Sequence, residues 1–423
     1  MKDRIYLCID LKSFYASVEC VERDMDPMTT NLVVADPERT DKTICLAVSP
    51  SMKALGVKNR CRVFEIPKNI EYIMAEPRMQ KYIEYAAEIY SVYLDYLSKD
   101  DIYVYSIDEV FMDITGYLKK YGVTPHQMAL MLMNEITKRV GVRATCGIGT
   151  NLYLAKIALD IMAKHSDDFI GYLDEELYRK KLWDHEPITD FWRIGAGTAK
   201  RLYRYGITNM REIAETDEDL LYSVFGMDAE LIIDHAWGRE PVTLKDIKAY
   251  KPKSNCLVSG QVLMRDYTFT EAKTIVKEMM DSLCLELVEK GLVTGSVTLY
   301  IGYSNELKRE PSKATFSLAQ PTSADSILLP KITQLYEKTA DRHSDIRRIS
   351  ITCNKVTGQS NYEQLTFFED EANALKKNNT IQKAVLGIKQ KYGKNSILKG
   401  MNFEEGATAR ERNKQIGGHK SGE

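Results

Sequence analysis

The stretch VYSIDEVFMDI, residues 104–114, places two adjacent carboxylates, Asp108 and Glu109, inside a pattern typical of paired β-strands. Apolar and aromatic side chains alternate on both sides of the pair, which predicts a β-hairpin. Asp and Glu are depleted in strands, so two neighbouring acidic residues here need a reason. A solvated hairpin turn is one explanation and a cation-binding site is another, and the remainder of the chain has to decide between them.

The composition is that of an ordinary globular protein with several domains. A chain of 423 residues is too long for one core and predicts roughly two to four domains. No apolar run approaches the ~18 residues of a membrane span, and the N-terminus has no signal-peptide pattern. The eight cysteines form no CxxC pair, so we interpret them as reduced core thiols. We therefore expect a cytoplasmic protein that does not bind membranes.

The net charge of −2 is distributed unevenly along the chain. Residues 1–247 are acidic overall, whereas residues 248–356 carry 16 basic against 12 acidic side chains. Residues 376–423 carry 11 basic against 4 acidic side chains. The later segments could therefore bind a polyanion by releasing its counterions, although ordinary surface variation explains the same imbalance.

A third acidic residue, Asp10, ends the apolar strand RIYLCID, directly before a segment with helical spacing. The predicted order β, α, β-β, α, hairpin, α, β, α indicates a mixed α/β sheet in which Asp10 and the 108–109 pair lie on neighbouring central strands. Two like charges about 4 Å apart repel by roughly 4 kcal/mol at an effective dielectric of 20. Such a cluster requires a raised pKa or a bound cation. Oxygen ligands alone favour Mg²⁺ or Mn²⁺, which points to phosphoryl transfer.

Further along the chain, the segment 151–165 predicts a helix that carries Lys156, Asp160 and Lys164. Residues 169–240 are helical, and their stretch IGAGTAKRL predicts a helix, a glycine hairpin and a second helix whose N-terminus can face a DNA phosphate. An ordinary helix C-cap is the alternative explanation for these glycines.

Residues 248–356 alternate strands and helices in a β-α-β-β-α-β order, which predicts a small basic domain. The segment that follows contains QLTFF, residues 364–368, beside four acidic residues. Exposed apolar residues in such a segment are typical of a docking peptide, although a packed tail is the alternative. We expect the Lys-rich remainder to be a mobile tail with a weak helix at 379–392.

With these pieces in order, the chain resembles the Y-family DNA polymerases, which copy damaged templates in the bacterial SOS response. The resemblance covers residues 1–368, and its most specific elements are CIDLKSFYASVE at 8–19 and YSIDEVFMDITG at 105–116. It implies an α+β multidomain fold shaped as a right-hand polymerase. Its domains would be a mixed-sheet palm (1–13 and 79–168), small fingers (14–78), a helical thumb with a helix-hairpin-helix (169–240), a linker (241–247), a little finger (248–356) and a tail (357–423) with a clamp-binding peptide at 364–368.

The resemblance also assigns roles to individual residues. It implies that two Mg²⁺ ions, or Mn²⁺, are bound by Asp10, the backbone carbonyl of Leu11, Asp108 and Glu109, with Asp10, Asp108 and Glu109 as the catalytic set. For nucleotide binding it implies Phe14, the steric gate Tyr15, Lys53 and Lys164. For DNA binding it implies Gly195, Gly197, Thr198 and Lys200, and for the sliding clamp Gln364, Leu365, Phe367 and Phe368.

The sequence departs from the family pattern in the fingers, where a tyrosine and an arginine commonly contact the triphosphate. Pro50 and Lys53 stand at the corresponding places. Lysine supplies the charge but not the bidentate geometry of arginine. Lys156 is also open, since it could simply pair with a neighbouring carboxylate.

The implied function is template-directed translesion synthesis, with primer–template DNA, dNTPs, the replicative sliding clamp and SOS accessory proteins as partners. A palm-type nucleotide cyclase would use the same two-metal chemistry, but a helix-hairpin-helix and a clamp peptide argue against it. A non-catalytic DNA- and clamp-binding factor is the third hypothesis, and it predicts decay of the acidic set. All three acidic positions are filled.

Overall fold

The computed structural model of the chain describes residues 4–252, 255–359 and 369–422. The chain divides into two compact units. Unit 1 comprises Met1–Tyr250 together with His419–Glu423, and unit 2 comprises Lys251–Gly418. Mixed sheets and many helices confirm the predicted α+β class.

The strands of unit 1 form two sheets. They are β1 (Tyr6–Leu11), β2 (Leu32–Val34), β3 (Ala47–Val48), β4 (Ile73–Ala75), β5 (Ile102–Val104), β6 (Glu109–Asp113), β7 (Ala144–Gly149) and β8 (Ile170–Leu173). The main sheet has the order β5-β6-β1-β7-β8 and is mixed, because β7 and β8 are parallel while the other pairs are antiparallel. The smaller sheet has the order β3-β2-β4 and lies in the predicted fingers. Strand β1 is central and almost completely buried, as its unbroken apolar run predicts.

The helices of unit 1 are α1 (Phe14–Val21), α2 (Pro50–Ala54), α3 (Met79–Tyr96), α4 (Thr115–Tyr121), α5 (Pro125–Val140), α6 (Leu152–Ile157), α7 (Glu175–Leu182), α8 (Ala196–Tyr203), α9 (Met210–Glu215), α10 (Glu218–Phe225), α11 (Asp228–Ala236) and α12 (Leu244–Ala249). Local sequence explains where many of them begin. In α5, Thr124 and Gln127 form a capping box and Pro125 is the first helical residue. The same helix ends at Gly141, which has a φ of 71° that suits glycine.

Helix α6 continues without interruption into a π-helical segment, Ala158–Met162, and then a 3₁₀ turn, Ala163–His165. A π-helix is wider than an α-helix and changes which residues share a face. This segment decides how Lys156 and Lys164 are oriented relative to each other.

The predicted helix-hairpin-helix differs from its expected form. Only a 3₁₀ turn, Ile188–Asp190, precedes the glycines. Gly195 is the N-cap of α8, and Gly197 lies inside that helix instead of in a hairpin. The expectation of a preceding helix is wrong because the chain from Pro187 to Ile194 packs as loop, with Ile188 and Phe191 buried in the helical core of this region.

Unit 2 contains the predicted β-α-β-β-α-β order. Its elements are β9 (Asn255–Tyr267), α13 (Phe269–Glu289), β10 (Leu292–Tyr303), β11 (Ser312–Thr322), α14 (Asp325–Thr339) and β12 (Ile346–Gly358). The antiparallel sheet has the order β11-β10-β12-β9. Both helices pack on one of its faces around an apolar core, and side chains of the other face are exposed. This one-sided burial explains the alternating pattern of the strands.

The residues from 369 to 418 also belong to unit 2, so the expectation of a mobile tail is wrong for this part of the chain. They form α15 (Glu369–Tyr392), α16 (Ala409–Arg412), β13 (Gln415–Ile416) and a 3₁₀ turn at Gly400–Phe403. The buried carboxylate of Glu278 on α13 accepts hydrogen bonds from Asn402 Nδ2 (2.8 Å) and from the backbone amides of Thr408 (2.8 Å) and Ala409 (3.1 Å). A buried carboxylate with three donors is well satisfied and orders the segment. The last strand, β14 (His419–Lys420), belongs to unit 1.

The main sheet ends close to the predicted end of the palm at residue 168. Strand β8 begins at residue 170, so the main sheet extends past residue 168. The finer division into palm, fingers, thumb and linker stays a prediction. Within the described residues, no helix is long and apolar enough to cross a membrane.

Candidate active site

The predicted acidic residues meet at one end of the pairing between β1 and β6. Asp10 and Glu109 are direct partners across these antiparallel strands. The backbone amide of Leu11 donates to the carbonyl oxygen of Asp108 at 3.0 Å. The strand pairing therefore brings together residues that lie almost a hundred positions apart in the sequence.

The two carboxylates of the hairpin have different environments. Asp108 is half-buried in the turn between β5 and β6, and its Oδ1 accepts a hydrogen bond from Ser106 Oγ at 2.7 Å. Glu109 is the first residue of β6 and is only 7% exposed. The solvated-turn explanation thus describes neither residue well, and least of all Glu109.

Glu109 is held by a lysine from the neighbouring helix. Lys156 Nζ lies 3.0 Å from Glu109 Oε2 and 3.0 Å from Asp160 Oδ1, and the Cys8 thiol donates to Glu109 Oε1 at 3.2 Å. The Lys156 side chain is 10% exposed. Burial opposes its charge, but the acidic neighbours Cys8, Asp160 and Glu109 together raise the pKa of Lys156 above its usual value. The sequence left this role open, and the structure identifies Lys156 as the counter-ion of Glu109.

Negative charge still exceeds positive charge at this site. Burial, followed by the charges of Asp108 and Glu109, raises the pKa of Asp10 to about 7, although Lys156 acts in the opposite direction. Burial likewise raises the pKa of Glu109, despite the opposing effect of Lys156. A raised pKa means that the ionised form of Asp10 is disfavoured in this environment, so a second positive charge nearby would stabilise that form.

The donor atoms fit a hard divalent cation. Carboxylate oxygens of Asp10 and Asp108, with the backbone of Leu11 beside them in β1, are the ligand type that Mg²⁺ and Mn²⁺ prefer. Burial and the neighbouring charges of Asp108 and Glu109 together raise the pKa of Asp10, and a bound metal ion would offset both effects. The residues therefore fit the predicted cofactor.

The predicted gate residue, Tyr15, is the second residue of α1 and is half-buried. Its ring stacks on the ring of Tyr82 in α3, with 4.4 Å between centroids and 14° between planes. Burial, followed by the charge of Asp108, raises the pKa of Tyr15, which indicates that this hydroxyl lies near the acidic site. Phe14 is 3% exposed and packs at an angle against Tyr15. No pattern in the sequence predicted the contact between Tyr82 and Tyr15.

Two predicted lysines face the same site from different elements. Pro50 is the first residue of α2, which carries Lys53, and Lys164 follows the π-helical segment. Both lysine side chains are exposed. Partial desolvation lowers the pKa of Lys53, Asp10 and Asp108 raise it, and Lys164 lowers it. These influences indicate that Lys53 lies near Asp10, Asp108 and Lys164.

Another acidic group lies outside the predicted site. Among the described residues, Asp36, Glu38 and Glu76 offer carboxylate oxygens that all lie within 4.8 Å of one another. The ammonium group of Lys420 lies among them, 2.6 Å from Glu38, 3.6 Å from Asp36, and in contact with Glu76. We call these four residues the strap cluster, after residues 419–422, the segment that carries Lys420. No pattern in the sequence predicted it.

A ring contact joins the hairpin that carries Asp108 and Glu109 to the segment that precedes α8. Trp192 Nε1 donates to the hydroxyl of Tyr105 at 3.2 Å, and the two rings meet edge to face. Trp192 also packs against Phe111 of β6. Gly195 follows Trp192 by three residues, so the predicted DNA-binding segment is attached to the hairpin that carries the acidic pair. The sequence offered no signal for this contact.

The predicted DNA-binding residues of α8 are accessible. Gly195, Gly197 and Lys200 are exposed and Thr198 is partly exposed. A Cβ atom at either glycine would meet nothing within 4 Å, so the backbone has open space in front of it. The predicted clamp residues Gln364, Leu365, Phe367 and Phe368 lie outside the described residues.

Comparisons with known proteins cover both halves of the chain. The impB/mucB/samB family model matches residues 9–160, and the model of the impB/mucB/samB family C-terminal domain matches residues 257–367. A Bacillus subtilis (strain 168) relative named for UV-damage repair, UvrX, is 30% identical over 98% of this chain and 97% of its own length. DNA polymerase IV 2 of the same organism is 29% identical over 99% of both chains. A solved Y-family DNA polymerase chimera matches with a TM-score of 0.64 at 20% identity, covering 84% of this chain and 99% of its own.

Proposed function

Because the chain belongs to the impB/mucB/samB family of Y-family DNA polymerases, we propose that it is a template-directed translesion DNA polymerase. It adds deoxynucleotides to a primer 3′ end opposite damaged template bases. The observation that carries this proposal is the meeting of Asp10, Asp108 and Glu109 at one end of a central strand pair, with a lysine behind them and a tyrosine gate beside them.

The acidic residues would bind the divalent metal on which Y-family polymerases depend, with Mg²⁺ as the ion that the ligand set favours. Asp10, Asp108 and Glu109 would hold these ions, with the backbone carbonyl of Leu11 beside them. Bound ions would supply activation of the primer hydroxyl and neutralisation of charge on the triphosphate. The carboxylates themselves transfer few protons, since positioning and charge stabilisation dominate this class of reaction.

The role of Lys156 follows from its contacts with Glu109 and Asp160. It orients Glu109 and keeps the carboxylate ionised in a buried position, as residues behind a metal ligand commonly do. Lys53 and Lys164 face the site from opposite elements and would contact the triphosphate as point charges.

Primer extension on defined templates tests this function. The purified protein with Mg²⁺ should extend a primer by the complementary dNTP on undamaged DNA and across abasic or photoproduct sites. Failure to extend any template, together with consumption of ATP or GTP in the absence of DNA, would favour the nucleotide cyclase instead.

Tyr15 would exclude ribonucleotides, since its ring would lie beneath the incoming sugar and clash with a 2′-hydroxyl. Replacing Tyr15 by Ala should raise ribonucleotide incorporation without abolishing extension by dNTPs. Competition between dCTP and CTP opposite a template guanine measures this. Unchanged sugar selectivity would reject Tyr15 as the gate.

Unit 2 is the candidate DNA-binding domain, and its basic balance supports this role. Basic side chains such as Lys313 and Arg348 lie on the sheet with neighbouring hydroxyl groups from Thr298 and Thr352. Such a surface suits contacts to phosphates without reading base sequence.

The peptide QLTFF at 364–368 would bind the replicative sliding clamp, with Gln364 in a polar pocket and Leu365, Phe367 and Phe368 as apolar anchors. The support for this role is the sequence alone. Tethering to the clamp raises the local concentration of a polymerase that grips DNA weakly. Replacing the three apolar residues by Ala should weaken clamp pull-down while clamp-free extension is retained, and undiminished pull-down would contradict the assignment. A need for SOS accessory proteins stays a prediction from the resemblance.

The comparisons favour the polymerase over the other two hypotheses. The relatives carry names of DNA polymerases or of DNA-damage repair and align over nearly the whole chain. A nucleotide cyclase would not require the matched C-terminal domain. A non-catalytic factor would not require the filled acidic set.

A further inference from the structure

Residues 419–422 lie against unit 1, to which they belong, although unit 2 immediately precedes them in the chain. We call this segment the strap. Lys420 lies among the carboxylates of Asp36, Glu38 and Glu76, and Ser421 is 7% exposed. A single exposed ion pair contributes little, but one ammonium group shared by three carboxylates forms a network. The strap is thus anchored in the region predicted as fingers.

The strap also completes the beginning of helix α3. The first N–H groups of a helix have no partners within it, and the N-cap residue Arg78 provides no side-chain cap. The backbone oxygen of Ser421 accepts a hydrogen bond from the amide of Gln80 at 2.9 Å. Gly422 lies so close that a Cβ atom there would be 2.7 Å from Cβ of Arg78. The strap therefore occupies the position of a helix cap.

The first turn of α3 is in turn attached to helix α1 through Glu19. This carboxylate is completely buried and accepts hydrogen bonds from Arg78 Nε (3.0 Å), Arg78 Nη2 (2.9 Å) and the hydroxyl of Tyr82 (2.8 Å). Arg23 of the segment after α1 also contacts it. Because Glu19 follows Tyr15 by one turn, any shift of the α3 terminus is transmitted to the helix that carries the gate.

The ring of Tyr82 provides a second connection to the gate. It is completely buried, and it stacks on Tyr15 with 4.4 Å between centroids. The position of the Tyr15 ring thus depends on where the first turn of α3 places Tyr82. Close packing of this kind transmits small displacements instead of absorbing them.

We propose that the strap positions the steric gate, with Lys420 and Gly422 as positioning residues that act on Tyr15 through the first turn of α3. The inference rests on the proposed polymerase function, because it assigns a determinant of sugar selectivity. One of the two positioning residues, Lys420, contacts Glu76 although the two lie more than 340 positions apart in the sequence.

Two variants disturb the strap by different routes. Lys420→Met removes the charge and keeps the length of the side chain. Gly422→Ala keeps the charge but introduces a methyl group against Arg78. Lys68→Met is the matched charge control, since Lys68 is an exposed lysine of the predicted fingers. Gly122→Ala is the matched backbone control, because Gly122 has a φ of +66° with nothing within 4 Å of a Cβ atom.

Sugar selectivity, the ratio of kcat/KM for a dNTP to that for the matching rNTP, is the deciding measurement. Both strap variants should lower it by about 3- to 10-fold, a size typical of coupling between distant positions, while both controls leave it unchanged. Lys420→Arg should retain the wild-type ratio. Replacing Glu38 and Glu76 together by Gln should reproduce the effect. Adding Lys420→Met to this double variant should lower the selectivity ratio no further.

A purely structural role would reduce Tm in the strap variants and leave the selectivity ratio at its wild-type value, and that result would overturn the proposal. Hydrogen exchange tests the physical connection without any activity. Amides in the first turn of α3 should exchange faster in Lys420→Met than in Lys68→Met, and equal exchange would also overturn it. A wild-type protein that does not extend primers would instead contradict the proposed function, with the exchange result still deciding whether the strap holds α3.

Discussion

The palm cluster, formed by Asp10, Asp108, Glu109 and Lys156, and the strap cluster contain the same groups in different environments. Each contains three carboxylates and a lysine, but Lys156 contacts only Glu109 of its set, and Asp160 outside it, whereas Lys420 contacts all three carboxylates of its cluster. In the palm cluster, Glu109 and Lys156 are buried, and burial together with the charges of Asp108 and Glu109 raises the pKa of Asp10 to about 7. In the strap cluster, the side chains of Glu38 and Glu76 are 77% and 47% exposed. Arg39 adds a second positive charge there, 3.1 Å from Asp36.

This difference shows that proximity of carboxylates does not by itself identify a metal site. Water and two basic residues already compensate the strap cluster, whereas burial leaves the palm cluster with charge that an added cation would neutralise. We therefore expect substitutions in the two clusters to differ in kind: loss of the chemical step in one, and altered substrate choice in the other.

The largest expected contrast is between Asp108→Asn and Glu38→Gln. Asp108→Asn should lower kcat for single-nucleotide extension by at least about 100-fold, since removing one group that stabilises transition-state charge typically costs 10²–10³. Glu38→Gln should leave kcat for dNTP addition nearly unchanged. Single-turnover extension with Mg²⁺ measures both variants. Comparable losses of the extension rate in the two variants would show that the two clusters do not differ in this way.

Lys156→Met should have the next largest effect. It leaves the buried carboxylate of Glu109 without its counter-ion, so extension should fall by about 10- to 100-fold, as is typical when a group that orients a metal ligand is lost. Tm should also fall, because breaking a buried pair leaves an uncompensated charge. A rise in the Mg²⁺ concentration needed for the half-maximal rate would support the role of Lys156 as the residue that orients Glu109. Full activity in this variant would mean that Lys156 only packs the helix.

The smallest effect concerns the two lysines that face the site. Lys164→Met and Lys53→Met should each raise KM for the dNTP by several-fold, because each removes one point charge from the triphosphate site. Lys68→Met should leave KM unchanged. Steady-state extension over a dNTP series separates KM from kcat. If Lys53→Met behaved like the control, the finger contact predicted from the sequence would be wrong.

Much of the palm cluster could be predicted from sequence, because strand pairing has a regular geometry. Once Asp10 lies near the end of a central strand and Asp108 directly precedes the partner strand, antiparallel pairing brings their positions together. Lys156 could be placed on a helix but not assigned a partner. The π-helical segment after α6 alters which side chains share a face, and no spacing in the sequence predicts a π-helix there.

Other expectations failed where local pattern and tertiary packing disagree. The glycine-rich segment 194–198 looked like a hairpin between helices, but only a 3₁₀ turn precedes it. The segment after residue 369 looked like a mobile tail because it is polar and Lys-rich. The buried carboxylate of Glu278 supplies the partners that this polar backbone needs, and that partner lies about 130 positions away.

Strand alternation, helix periodicity and motif spacing are local properties, and they predicted the order of elements and the acidic residues, while the family resemblance added the α+β class. The folded structure alone shows that Lys156 pairs with Glu109, that Tyr82 stacks on Tyr15 and that Lys420 lies among the carboxylates of Asp36, Glu38 and Glu76. These contacts join residues that are distant in the chain. Their free energy depends on burial and on the charges brought together by folding, and neither quantity is present in a local pattern.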